Sequence, residues 1–250
     1  MKKILFLLLF LNSYIIYAQI INTESLRMVT DTTGWSGKIG FDINLSKNTR
    51  SLFRIKNNIH VQYKTKKHLF IFINKIGFEK VDNEEFVNKG VQHFRYNYKF
   101  NTKLSGEFFL QNQYNALYKI DFRELAGAGL RYKLTKSEKY KVYLGSLLMY
   151  EYEKINADFD NYNKDWRNSN YLSFSFFFTD KISLKSTTYY QPKLQKLSDY
   201  RIAHQSAFKF SIIKNLAYKL AFNYTYDALP VIGIPNEEYH ITNGLIYQFK

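Results

Sequence analysis

Of the five histidines in the chain, two stand at a spacing that could do chemistry. His204-Gln205-Ser206 sets an imidazole and a hydroxyl two residues apart, and so on one face of an extended strand. An imidazole that takes the serine proton can activate the oxygen for attack on an ester, provided that a third group orients the ring. On that face the neighbouring segments offer only Ser186, Thr188 and Tyr224, while Asn223 points the other way. His240 and Thr242, in HITNG, repeat the spacing with a weaker nucleophile. Neither pair has an evident orienting acid or amide, so catalysis is not expected. No phosphate loop, dinucleotide fingerprint or metal-ligand histidine spacing occurs. The absence of cysteine excludes thiolate metal sites and disulfides, and no cofactor is expected.

The second set of chemically capable residues is basic. The chain has 36 Lys and Arg against 21 Asp and Glu, a formal charge of +15. These residues alternate with apolar ones: Arg54 and Lys56 interleave with Phe53 and Ile55, and Lys219 lies between Tyr218 and Leu220. A period of two belongs to strands with one apolar face. Twelve such segments are expected, at 35–45, 51–63, 68–78, 90–100, 103–114, 123–134, 140–152, 169–178, 181–191, 202–212, 216–226 and 238–249. Apolar-out, polar-in strands of about ten residues, with aromatics such as Tyr63, Phe100, Tyr140, Tyr150 and Tyr190 at their ends, are the units of membrane-spanning barrels. Segment 68–78 is apolar on both faces, so its orientation is open. Connections after even-numbered segments are short, and most of those after odd-numbered ones are long, as in Glu79–Lys89, Glu153–Asn168 and Asp227–Glu237; Ser46–Arg50 is the exception. This parity predicts an all-β antiparallel up-and-down barrel of about twelve strands, with short periplasmic turns, longer external loops and both ends of the wall on the periplasmic side.

The start of the chain agrees with export. Met1-Lys2-Lys3, the apolar run Ile4–Leu11 and the small Ala18 read as a signal peptide over 1–18, followed by a short lead over 19–33 and the barrel over 34–250. Cleavage after Ala18 would remove two lysines and leave +13, from +15 minus 2. The location expected is the outer membrane of a Gram-negative bacterium.

Two stretches carry a resemblance to a known family. GWSGKIGFDINLSKNT, with Gly34, Trp35, Gly37, Asn48 and Thr49, and YKIDFRELAGAGLRYKL, with Arg123, Gly127, Gly129 and Tyr132, resemble the salt-induced outer-membrane protein family, domain of unknown function 481. The resemblance implies export and a β-rich fold, and no reaction or ligand. His204-Gln205-Ser206 is in turn similar to the His-x-Ser pair of outer-membrane phospholipase A, without that enzyme's following Ser-Asn-Gly.

Parity places Lys38, Arg54, Lys56, Arg95, Lys99, Arg131, Lys141, Lys185, Lys209 and Lys219 on the inner face, against Asp42 and Glu107. A basic lumen is expected, favouring anions if water runs through it, or else filled by these long side chains, since a twelve-strand barrel is narrow. Most carboxylates, Glu79, Glu153, Asp165, Asp199 and Asp227 among them, are expected in or beside the external loops. There they could hold divalent cations bridging lipopolysaccharide phosphates, although Asp158, Asp160 and Asn161 lack the spacing of a dedicated calcium site. The expected partners are outer-membrane lipid and lipopolysaccharide, with the barrel-assembly machinery during insertion. Nucleic acid is not expected, because the basic residues are dispersed, and the oligomeric state is left open. The function expected is a non-enzymatic barrel, either a narrow anion-leaning channel or a structural envelope component. The alternative is an outer-membrane lipid hydrolase using His204 and Ser206.

Overall fold

Alternating sequence becomes alternating structure along the whole chain. The computed structural model describes residues 33–82, 84–137, 139–156, 161–213 and 216–247. The expected signal peptide, the lead up to residue 32, and residues 248–250 with Phe249 lie outside the described residues.

The elements are β1 (Gly34–Lys47), β2 (Ser51–Lys64), β3 (His68–Val81), β4 (Glu84–Lys99), β5 (Leu104–Asn115), a 3-10 turn (Ala116–Tyr118), β6 (Ile120–Lys133), β7 (Tyr140–Ile155), β8 (Asn161–Phe177), β9 (Ile182–Lys193), β10 (Lys196–Ile213), β11 (Leu216–Asp227) and β12 (Glu237–Tyr247). They form one twelve-stranded sheet in strict sequence order. Each neighbouring pair is antiparallel, so the fold is all-β and up-and-down. β1 and β12 are its two edges and are not paired with each other. No described helix is long and apolar enough to cross a membrane.

The turns after β2, β4 and β8 are closed locally by side chains. Thr65 Oγ1 accepts the His68 N–H at 3.0 Å, Asn101 Oδ1 accepts the Leu104 N–H at 2.8 Å, and Thr179 Oγ1 accepts the Ile182 N–H at 3.1 Å. Short polar side chains that mimic a backbone turn account for Thr and Asn at these positions. We call this the turn end of the wall. At the opposite, loop end the strands run further than the alternation of apolar residues suggests. The expected loop Glu79–Lys89 is mostly β3 and β4, and Glu153–Asn168 is mostly β7 and β8. Past the apolar band both faces are polar, so the period-two signal fades, but the backbone ladder needs no apolar side chains to continue.

The distribution of polarity is inverted relative to a soluble core. Ile39, Phe41, Ile43 and Leu45 are exposed on the outer face of β1, as are Leu144 and Leu148 on β7, whereas Arg123 and Glu151 are fully buried on the inner face. β3, ambiguous in sequence, places Ile71 and Ile73 inside and Phe72 outside. Aromatic pairs girdle the outer surface at both ends. Trp35–Tyr63 (4.9 Å between centroids), Phe70–Tyr96 (4.9 Å) and Tyr140–Phe176 (5.6 Å) lie toward the turn end. Tyr150–Trp166 (5.1 Å), Phe122–Tyr152 (5.5 Å) and Tyr200–Tyr226 (5.7 Å) lie toward the loop end. Two aromatic belts bounding an apolar outer band are what a strand wall in lipid requires.

Candidate functional site: the inner face of the wall

Three layers of side chains line the inner face along β4 to β11. The middle layer is apolar. Phe109, Leu125, Leu147, Met149, Tyr171, Tyr189 and Ala203 pack together from six successive strands, β5 to β10. Room for two of its rings comes from glycine. A Cβ on Gly127 would collide with the Phe109 ring, and one on Gly145 with the Tyr171 ring. Gly127 of the family-like motif therefore holds an aromatic flat against the wall.

Toward the loop end lies a knot of buried charge centred on Glu151. Arg123 Nε is 2.5 Å from Glu151 Oε1 and 3.7 Å from Glu153. Arg167 Nε donates to Glu151 Oε2 at 2.6 Å, and its Nη2 to Asp199 at 2.8 Å. Arg201 donates to Glu151 at 2.5 Å and to Asp227 at 2.8 Å. Lys193 pairs with Asp165 at 2.7 Å, and Arg54 with Glu79 at 2.7 Å. A carboxylate buried among guanidinium groups is tolerable only when its lone pairs are met, as they are here.

A smaller knot lies on the other side of the apolar layer. Arg95 Nη1 donates to Glu107 Oε2 at 3.1 Å, and the Tyr171 hydroxyl to the same oxygen at 2.8 Å, linking β8 to β5 across the inside of the wall. Asn97 also donates to Glu107. Arg131 lies 3.8 Å from Glu107 and 3.5 Å from the centroid of the Tyr143 ring.

These contacts correct the distribution of acid read from the sequence. Glu79, Glu153, Asp165, Asp199 and Asp227 are not solvated loop groups but members of strands, or of a strand end, paired with inward arginines or lysine. Glu151 escaped notice altogether. Parity along β7 would have put it on the same face as Lys141, and its alternation with Tyr150 and Tyr152 was the available signal. The inner face is therefore charge-balanced around its arginines and not uniformly basic. The lysines differ. Lys38, Lys56, Lys185, Lys209 and Lys219 have no carboxylate partner among the described residues. Lys185, Lys209 and Lys219 are exposed on the inner face beyond the apolar layer, near the turn end, and Lys141 shares that level.

The His204–Ser206 pair sits on the outer face and is more connected than its sequence suggests. His204 Nε2 is 2.6 Å from Ser206 Oγ, and Nδ1 is 2.8 Å from Thr188 Oγ1. Ser206 Oγ donates to Ser186 Oγ at 3.1 Å. Thr188 thus supplies the contact to the far ring nitrogen that the sequence left open. What this row lacks is a donor for a developing oxyanion, since the backbone of β10 is committed to β9 and β11 on either side. Among the described residues no group of three or more His, Cys, Asp or Glu could hold a metal ion. Asp158 and Asp160 lie outside the described residues.

The motif residues take distinct places. Trp35 is exposed against Tyr63 at the turn end, Gly34 has a positive φ of 117°, and the Asn48 N–H donates to the Arg50 carbonyl in the β1–β2 turn at 3.0 Å. Arg123 is buried in the loop-end knot, a Cβ on Gly129 would strike the Ser146 carbonyl of β7, and Tyr132 faces outward.

Among solved structures, the chain is similar to the NanC porin, at 9% identity over 84% of this chain and 100% of that one, with a TM-score of 0.48. It is also similar to the KdgM porin, alone and in complex with disordered oligogalacturonate, at 12% identity over 83% of this chain and 99% of that one, with a TM-score of 0.39. No curated protein matches the chain. A family profile described as "Protein of unknown function, DUF481" matches residues 25–249, a span that includes the motif residues and all twelve strands, and the chain belongs to that family.

Proposed function

We propose that the protein is an exported outer-membrane barrel without enzymatic activity, acting as a narrow, anion-leaning channel. The observation that carries this reading is the contrast among inner-face cations. Those near Glu79, Glu107 and Glu151 are neutralised by carboxylates, whereas Lys38, Lys56, Lys185, Lys209 and Lys219 are not. What charge remains on the inner face is positive, and rings of basic groups favour anions. In this reading the turn end faces the periplasm and the loop end faces outward, toward lipopolysaccharide. The signal peptide over 1–18 brings the chain there, and the barrel-assembly machinery inserts it.

The test is conductance of the refolded barrel in planar bilayers, with selectivity taken from the reversal potential in a salt gradient. Anion-selective openings that lose selectivity in Lys185→Gln are expected. Silence from a folded barrel would overturn the channel and leave a structural envelope component.

A hydrolase reading has one observation in its favour, the Thr188–His204–Ser206 row. Without an oxyanion donor the row does what polar groups in lipid must do, which is to satisfy one another. Purified barrel should not cleave phospholipid, and activity lost in Ser206→Ala would reverse that conclusion.

A further inference from the structure

The connection between β11 and β12, residues 228–236, is a built element whose tip reaches the β5–β6 connection. Its base is closed by hydrogen bonds. The Asp227 N–H donates to the Asn236 carbonyl at 2.8 Å, Asn236 Nδ2 to the Asp227 carbonyl at 3.0 Å, and the Ala228 N–H to the Tyr200 carbonyl of β10 at 3.0 Å. At the tip the Ile234 N–H donates to the Val231 carbonyl at 2.9 Å, around Gly233 with a φ of 87°. A positive φ at the third position of a four-residue turn calls for glycine. Pro230 and Pro235 flank the turn and fix the backbone on either side of it. The segment therefore holds its shape as one piece.

On the opposite side, Lys119 Nζ donates to the Ile232 carbonyl at 3.1 Å. Lys119 is itself held in a left-handed conformation with a φ of 56°, and its carbonyl accepts from the Asn156 N–H at 2.7 Å. Five strand spacings of about 4.8 Å separate β6 from β11 along the wall, roughly 24 Å. A segment of this length, doubled back at its tip, reaches only about 15 Å. The contact therefore spans the mouth inside the curl of the wall and does not follow the rim. Beneath the segment lies a cavity of about 250 Å³, with Leu117, Tyr118, Arg201, Thr225, Ile234 and Glu238 in its lining.

A plug fills the space it blocks, because protein interiors are close-packed. This segment bridges its space instead. Lys119 and Ile232 are both exposed, so water can replace the bond between them. We propose that residues 228–236 form a lid over the loop-end mouth, hinged at Asp227 and Asn236, which lifts to admit solute to the inner face. Only the onward passage of that solute rests on the channel reading.

The chain has no cysteine, so Thr225→Cys, on the inner face under the lid, is a unique probe. Its labelling by a charged, water-soluble maleimide is followed in the folded full-length barrel in detergent, with Ser183→Cys, at the turn end of β9, as the reference. Replacing residues 229–235 with Asn-Gly, a two-residue hairpin turn, should raise the labelling rate at position 225 the most. Lys119→Ala should raise it about fivefold, as for the loss of one exposed hydrogen bond. Neither change should alter the rate at Ser183→Cys. Equal labelling of Thr225→Cys with the intact and the shortened segment would overturn the lid, as would a matching rise at Ser183→Cys, which reports loosening of the whole wall. A raised rate in the shortened chain with none in Lys119→Ala would overturn the lifting and leave a fixed cover. Bilayer recording separates the lid from the channel. Silence in every variant with raised labelling removes the channel and keeps the lid, whereas equal chloride currents with equal labelling remove the lid and keep the channel.

Discussion

The two ends of one stretch of wall handle interior charge in opposite ways. β7 carries Glu151 and Glu153 toward the loop end and Lys141 toward the turn end, and β10 carries Arg201 at one end and Lys209 at the other. At the loop end every inward guanidinium of these strands meets a carboxylate, and Arg123, Arg167 and Arg201 share Glu151. At the turn end lysine stands beside lysine. Planar, multi-donor arginine suits a buried shared pair, and compact, strongly hydrated lysine suits a surface left open to water. The apolar layer between them separates an end of buried ion pairs from an end where Lys185, Lys209 and Lys219 are exposed.

The contrast can be broken most severely at its loop end. Glu151→Gln leaves three guanidinium groups around a neutral amide, and removing one partner of a buried ion pair costs about 3–5 kcal/mol. Loss of the heat-modifiable folded form, or a large fall in the urea midpoint, is the expected result; a wild-type midpoint would mean that the knot contributes little. Gly127→Ala acts on the separating layer by driving a methyl into the Phe109 ring, with a cost of about 1–3 kcal/mol for overpacking. Its unfolding midpoint should fall less than that of Glu151→Gln, and a smaller residue at position 109 should restore it.

The outer row sharpens the comparison, since there polar groups are paired against lipid instead of against each other's charge. Thr188→Val keeps the shape and leaves His204 Nδ1 without its partner, a loss of about 1–3 kcal/mol by denaturant titration, with no change in conductance. The smallest expected effect is of opposite sign. Lys209→Gln removes a like charge facing Lys219 and should raise the melting temperature slightly at low salt. The rise should vanish near 1 M salt, where the screening length is about 3 Å. A fall in melting temperature at low salt would show that these lysines are not in conflict.

Much of this was legible from the chain. All twelve strands, the facing of Arg95, Glu107 and Arg131, and the turn residues Asn101 and Thr179 follow from alternation and turn chemistry. Strand ends at the loop side were not, because Glu79–Val81 and Glu84–Lys89 are polar enough to read as loop. Misjudging those ends put the carboxylates of β3, β7 and β8 outside the wall when they belong within it.

Alternation with a period of two is a local property, so the sequence by itself determined the strand count, the inner and outer faces and the apolar band. Which charges meet is not local. Glu151 touches arginines from β6, β8 and β10, and Tyr171 reaches Glu107 from three strands away. Such pairings exist only once the sheet has curved and brought distant strands within reach of a side chain. Tertiary structure alone therefore decided that the arginines are spent on ion pairs within the wall, while Lys185, Lys209 and Lys219 have no carboxylate partner among the described residues.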